Sequence, residues 1–167
     1  MPYLKKQSNK VIDNIFLELN NKHIDAYYMP ISNENLYEFV SDYENYVKYI
    51  TGFTGDTGSI LITKNKIYLV VDGRFEIQAK KEISDKRIEI VVLKGSDTYI
   101  DFLNDKLKKN YVFSFNPKIV SIRKIQIYDN REKKWQKGAH EHQWPRTIQD
   151  DCQDHDGLGR SACRRTE

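Results

Sequence analysis

Three glycines recur at a strict spacing of three, Gly52, Gly55 and Gly58, with Phe53 the only large apolar residue among them. Backbone amides in such a loop can cradle a phosphate. A P-loop, however, needs G-x-x-x-x-G-K-[ST], and the dinucleotide fingerprint needs G-x-G-x-x-G. Here Ser59 follows the last glycine, a β-prone run comes next, and neither spacing is met. The loop reads instead as shaped backbone, since glycine permits positive φ and close approach. A second cluster, Asp72-Gly73-Arg74, follows two β-prone runs. Asp72 suits the N-cap of a helix, Gly73 supplies the turn, and Arg74 is free to pair with a nearby carboxylate. The other reading turns Arg74 toward a substrate or a neighbouring subunit. The local reading needs fewer assumptions. His140, His142, Cys152, His155 and Cys163 carry metal-binding atoms, but structural zinc sites pair their ligands as C-x2-C with H-x3-5-H, and this spacing is looser. His23 is the only histidine before residue 130 and no G-x-S-x-G elbow accompanies it, so a serine triad has no support.

The elements that must position these residues follow from periodicity. Ser59–Thr63 and Ile67–Val71 are dense in β-branched and aromatic residues, and Lys64-Asn65-Lys66 between them suits a hairpin turn in which Asn tolerates the left-handed conformation. Tyr49-Ile50-Thr51 reads as a short strand ending at Gly52. A helix is expected over about 9–21, capped by Ser8, with Val11, Ile12, Ile15, Phe16 and Leu19 on one face. A strand over 25–29 ends at Pro30, and Ser32 or Asn33 starts a short helix through Val40. Arg74 opens a helix to Glu82. Ile88–Leu93 is a strand, Ser96 caps a helix to about Lys109, and Tyr111–Phe115 is a strand. After Asn116-Pro117 a helix capped by Ser121 competes with the strand-like alternation of Ile125-Gln126-Ile127. Helices alternating with strands, plus one hairpin, predict an α/β domain of three layers, its mixed sheet containing one antiparallel hairpin with helices on both faces. The strands 59–63, 67–71 and 88–93 are expected to be the most buried.

Length and composition bound the rest. A chain of 167 residues with 39% hydrophobic residues can build one core. The net charge of +3 is spread in pairs such as Lys5-Lys6, Lys80-Lys81 and Lys108-Lys109, not in the stripe that nucleic-acid binding requires. No stretch approaches the roughly 20 apolar residues of a membrane span, and the N-terminus lacks the apolar core of a secretory signal. Both cysteines lie in the last sixteen residues, which fits a cytoplasmic location. Composition changes near residue 130. Residues 1–130 hold every Tyr, Phe, Val and Met, whereas 131–167 hold both Trp, both Cys and three of the four His, with one Ile and one Leu. We expect a domain over 1–130 and a non-globular tail over 131–167, because that tail cannot bury enough apolar surface to offset its ordering entropy. A shifted reading frame or a fusion junction would produce such a change.

Taken together, Y-I-T-G-F-T-G-D-T-G-S, two strands and D-G-R-F-E-I-Q-A resemble the N-terminal domain of Xaa-Pro aminopeptidases (aminopeptidase P), in the creatinase/prolidase group. The usual pattern there is Y-L-T-G-F-x-G-S-A-G-T, two strands, then W-x-D-G-R-Y-x-x-Q-A. Tyr49, Thr51, Gly52, Phe53, Gly55, Gly58, Asp72, Gly73, Arg74, Gln78 and Ala79 stand at matching places. The resemblance departs at Asn33–Phe39, where D-x-H-x-S-E-Y is common and only Glu38 and Phe39 agree. It departs again at Val47, where many members carry Arg. It implies a non-catalytic domain that serves subunit assembly and shapes a substrate cleft, with Phe53 and Arg74 as candidate contacts. The implied partners are a catalytic C-terminal domain, neighbouring subunits and, through the parent, a proline-containing peptide. The resemblance places a divalent metal, Mn or Zn, in that catalytic domain and no cofactor in this chain, which by itself is expected to be inactive. The alternative is a free-standing α/β module that binds a small metabolite or a protein partner.

Truncation after Asn130 is expected to leave the melting temperature nearly unchanged. Exposed residues away from specific features matter by less than about 0.5 kcal/mol each. A drop of many degrees on truncation, followed by circular dichroism, would show that the tail is part of the fold.

Overall fold

The computed structural model describes residues 2–37, 39–108, 110–121, 123–124 and 136–137. A long helix, α1 (Pro2–Asn21), leads into β1 (Ala26–Pro30). A connecting segment then reaches α2 (Tyr46–Thr51), and the glycine loop joins α2 to the hairpin of β2 (Ser59–Thr63) and β3 (Ile67–Asp72). One turn of 3-10 helix (Gly73–Phe75) runs into α3 (Glu76–Glu82), followed by β4 (Ile88–Leu93), α4 (Tyr99–Lys106), β5 (Val112–Phe115) and the short β6 (Gln136–Lys137).

The sheet order is β4-β3-β2-β1-β5-β6. β2 runs antiparallel to both of its neighbours, with Ile60 opposite Leu69 and Met29. The β3–β4, β1–β5 and β5–β6 pairs are parallel. This is the α/β, mixed-sheet architecture that the alternation of elements predicts. α4 covers one face, where Tyr28 meets Tyr99 at 4.9 Å and Tyr68 meets Phe102 at 5.7 Å between ring centroids. The end of α2 and the start of α3 cover the other, where the loop packs beside Val71, and α1 packs on α2. Val11, Ile12, Ile15 and Leu19 form the buried stripe of α1 as predicted. Among the described residues no helix is long and apolar enough to cross a membrane.

Several local expectations are corrected. Tyr49-Ile50-Thr51 is the last turn of α2, not a strand. Asn45 caps that helix by accepting from Lys48 N, and Gly52 ends it in the left-handed region at φ 79°. Val47, Ile50 and Thr51 are then buried on one face at helical spacing. The cap of α4 is Thr98, not Ser96. Thr98 and Asp101 form a reciprocal capping box, so the helix starts later. No helix forms at 33–37 or 39–40; Asn33 turns the chain through its side chain instead. α1 runs on through Ser8, which therefore does not cap it. Asn65 stays out of the left-handed region, which among the described non-glycine residues only His23, Leu36 and Asn110 enter. β1 is buried along its whole length, whereas β4 is mostly half-buried because it forms the sheet edge, so β1 takes the place expected of β4. Ser121 accepts from Lys124 N as a cap would. Ile122, Ile125 and Tyr128 lie outside the described residues, as does the 131–167 segment apart from Gln136 and Lys137, which pair with Val112 and Phe113.

Leu69 lies on the hairpin with no solvent exposure. Leu69→Ala is expected to cost about 2–5 kcal/mol, whereas Leu17→Ala, on the exposed side of α1, should stay within about 0.5 kcal/mol. Urea denaturation of both variants checks the contrast.

Candidate functional site

Five strands, β1, β3, β4, β5 and β6, finish at one end of the sheet, and β2 begins there. Ligands of open α/β sheets bind outside the carboxyl ends of the parallel strands. The glycine loop, the Asp72-Gly73-Arg74 turn and the segment after β1 therefore converge at the end where a site would form.

The three glycines serve different physical needs. Gly52 takes the left-handed cap of α2, its N–H donating to the Lys48 carbonyl at 2.7 Å. Thr51 Oγ1 donates to the Val47 carbonyl at 2.7 Å and accepts from Phe53 N at 3.1 Å, which turns the chain inward. The Phe53 ring then lies fully buried beneath Gly55, where a Cβ would stand 2.2 Å from Phe53 Cζ. Gly58 has φ 151°, and its carbonyl accepts from Ile31 N at 3.0 Å, fastening the loop to the end of β1. Phe53 meets Phe75 edge to face at 6.0 Å between centroids. As a candidate contact residue, Phe53 offers no surface of its own in this chain; what it offers is the shape of the loop above it.

The turn after β3 is built by Asp72. Its Oδ1 accepts from Arg74 N at 2.9 Å, and its carboxylate holds the guanidinium through Nε and through Nη2 at 2.7 Å. The Arg74 guanidinium holds the Asp72 carboxyl below the usual carboxylate range. Gly73 meets nothing within 4 Å and has no positive φ, so the turn does not depend on it as it depends on Asp72. The Arg74 side chain is 75% exposed and stands over the Phe75 ring at 5.5 Å. The local reading of Asp72 and Arg74 thus describes their geometry, and that geometry leaves a pre-oriented cation facing outward.

On the loop's other side Thr54 is held by Glu82. Thr54 N donates to Oε2 at 2.8 Å and Thr54 Oγ1 to Oε1 at 2.6 Å, while Gln78 Nε2 donates to Thr54 Oγ1 and to Glu82 Oε1. Burial pushes the Glu82 carboxyl up, but the bonds from Thr54 and Gln78, with the Lys48 charge, outweigh it and hold the carboxyl below its ordinary value.

Sequence reasoning missed the segment after β1. Asn33 is buried; its Oδ1 accepts from Asn35 N and Tyr37 N, and its Nδ2 donates to Glu44, which also accepts from Ser41 Oγ at 2.6 Å. On this pinned base Leu36, Tyr37, Phe39 and Tyr43 are all exposed. The sequence carried no signal for this: Leu36, Phe39 and Tyr43 stand at the i, i+3, i+7 spacing of a helical face. His23 is exposed, as expected of a histidine just past a helix end. Among the described residues no three His, Cys, Asp or Glu side chains come together as a metal requires, and His140, His142, Cys152, His155 and Cys163 lie outside them.

Gly55→Ala is expected to destabilise by about 1–3 kcal/mol, since the added methyl overlaps the buried Phe53 ring. Gly73→Ala should be neutral or stabilising by up to about 1 kcal/mol. Thermal melts of the two variants separate a glycine needed for space from one that is not.

The chain resembles proteins of known kind. An Xaa-Pro aminopeptidase of Caenorhabditis elegans is 27% identical over 100 residues, covering 59% of this chain and 16% of the relative. Aminopeptidase P2 of Arabidopsis thaliana is 38% identical over 65 residues, covering 39% and 9%. The chain therefore spans less than a fifth of either relative. Among solved structures, the C. elegans X-prolyl aminopeptidase, a cytosolic enzyme with a di-nuclear active site, superimposes with a TM-score of 0.67 at 23% identity, over 77% of this chain and 21% of that one. The N-terminal creatinase/prolidase-like domain of a metallopeptidase from Corynebacterium diphtheriae superimposes with a TM-score of 0.59 at 16% identity, over 86% of this chain and all of that one. These likenesses show the same fold. The family model of the Creatinase/Prolidase N-terminal domain matches residues 12–146, and the chain belongs to that family.

Proposed function

We propose that this chain is the non-catalytic N-terminal domain of a cytoplasmic Xaa-Pro aminopeptidase-like metallopeptidase, and that it serves subunit assembly and the shaping of the substrate cleft. Peptide hydrolysis by such an enzyme needs a metal-activated water and a group to manage the proton. In this reading a catalytic C-terminal domain supplies both, together with the Mn or Zn that the chemistry requires, and acts on proline-containing peptides. What this domain contributes is surface. The observation that carries the reading is Arg74, fixed by Asp72 and exposed beside the glycine loop at the functional end of the sheet. A guanidinium locked in one direction contacts a carboxylate or a carbonyl-rich surface with little further loss of freedom. The aromatic segment of Tyr37, Phe39 and Tyr43 lies on a loop at the same sheet end and adds apolar area for contact with the rest of the parent.

In the full-length parent, Arg74→Ala is expected to weaken subunit assembly or to raise KM by roughly fivefold, equivalent to about 1 kcal/mol, with metal content and melting temperature unchanged. A loss of melting temperature without a kinetic or assembly effect would restrict Arg74 to the local fold. Metal-dependent cleavage of an Xaa-Pro peptide by highly purified 1–167 would overturn the non-catalytic assignment.

A further inference from the structure

A loop with three glycines in seven residues has many conformations to lose, so it stays in one only if something outside it fixes it. Besides the bond from Ile31 N to the Gly58 carbonyl at its far end, two contacts with the next helical unit do this. One is apolar and buried, where the Phe53 ring meets Phe75 under Gly55. The other is polar and at the surface. Thr54 is exposed, yet both its backbone N–H and its hydroxyl donate to one side chain, Glu82, twenty-eight positions later. Each of these bonds goes to an ionised acceptor and is stronger than a neutral one. Gln78, one turn before Glu82, donates to both partners and fixes their spacing. α3 has seven residues and buries only Ala79, so its own hold on the sheet is slight. Loop and helix therefore depend on each other.

We propose that Glu82 is the positioning residue of the glycine loop, latching Thr54 so that the loop and the helical unit bearing Arg74 form one rigid platform. The latch lies at the far end of α3 from Arg74, and the Phe53–Phe75 contact lies at the near end. A platform braced at two separated points resists rotation as well as displacement. Removing the polar brace frees the loop tip while the buried ring keeps the base in place.

Amide hydrogen exchange followed by NMR tests this in the full chain. In Glu82→Ala the Thr54 amide is expected to exchange at least about tenfold faster, as loss of a bond to an ionised acceptor implies. The amides of Ile60 and Leu69 should keep their rates. In Glu82→Gln the side chain retains one acceptor for the Thr54 N–H, so the acceleration should be smaller, roughly threefold. Unchanged exchange at Thr54 in either variant overturns the proposal. So does acceleration spread evenly over the sheet, because Glu82 would then stabilise the whole fold and not the loop. Should Glu82→Ala fail to fold, Glu82→Gln carries the test by the same readout.

Discussion

The carboxyl end of the sheet depends on one ring. Phe53 lies beneath Gly55 with no exposure, edge-on to Phe75 and close to Gly58. Because its ring fills the space under the loop, the loop cannot collapse onto the sheet, and because Gly55 has no side chain, the backbone can close over the ring. Everything nearby is arranged around that packing. Thr51 turns the chain inward, Gly58 fastens it to the end of β1, and Phe75 joins it to the turn that carries Arg74. A large aromatic residue in a loop thus behaves as a core residue of the domain.

The arrangement of strands serves the same end. A reversed β2 among parallel neighbours brings the glycine loop in where β1 and β3 go out. A sheet of only parallel strands would have placed that loop at the opposite edge. The polar devices at this end are local and short in sequence: Asp72 with Arg74, and Asn33 with Asn35 and Tyr37. Two polar contacts reach further: Ile31 N donates to the Gly58 carbonyl, and Glu82 latches Thr54 across two elements.

The sequence made the body of this fold legible because the strands are β-branched and the apolar stripe of α1 repeats at 3.6 residues. The two motifs at 49–58 and 72–79 meet in the fold through Phe53 on Phe75 and Gln78 on Thr54. Failures fell where short elements are decided by their ends. Tyr49-Ile50-Thr51 has strand composition, but Asn45 and Gly52 close a helix around it. Thr98 with Asp101 outcompetes Ser96 because a reciprocal cap satisfies two donors. Strand edges were also hidden: β4 is as apolar as β3, and only the sheet order reveals that one side of it is open. A short helix is expected through Val40, but the Asn33 side chain turns the chain there and leaves Leu36, Tyr37 and Phe39 exposed, as apolar surface residues commonly are.

Sheet order also sets a sequence of assembly. β2 and β3 are joined by a short turn, so the hairpin closes with little loss of chain entropy. The β1–β5 pair joins residues about as far apart as the domain allows, with Val112 N donating to the carboxylate of Asp25. During synthesis the hydrogen-bonding edge of β1 therefore stays open until Val112 has emerged, long after the glycine loop is in place. Pro30 at the end of that strand offers no N–H, which makes the waiting edge a poorer template for a stray strand.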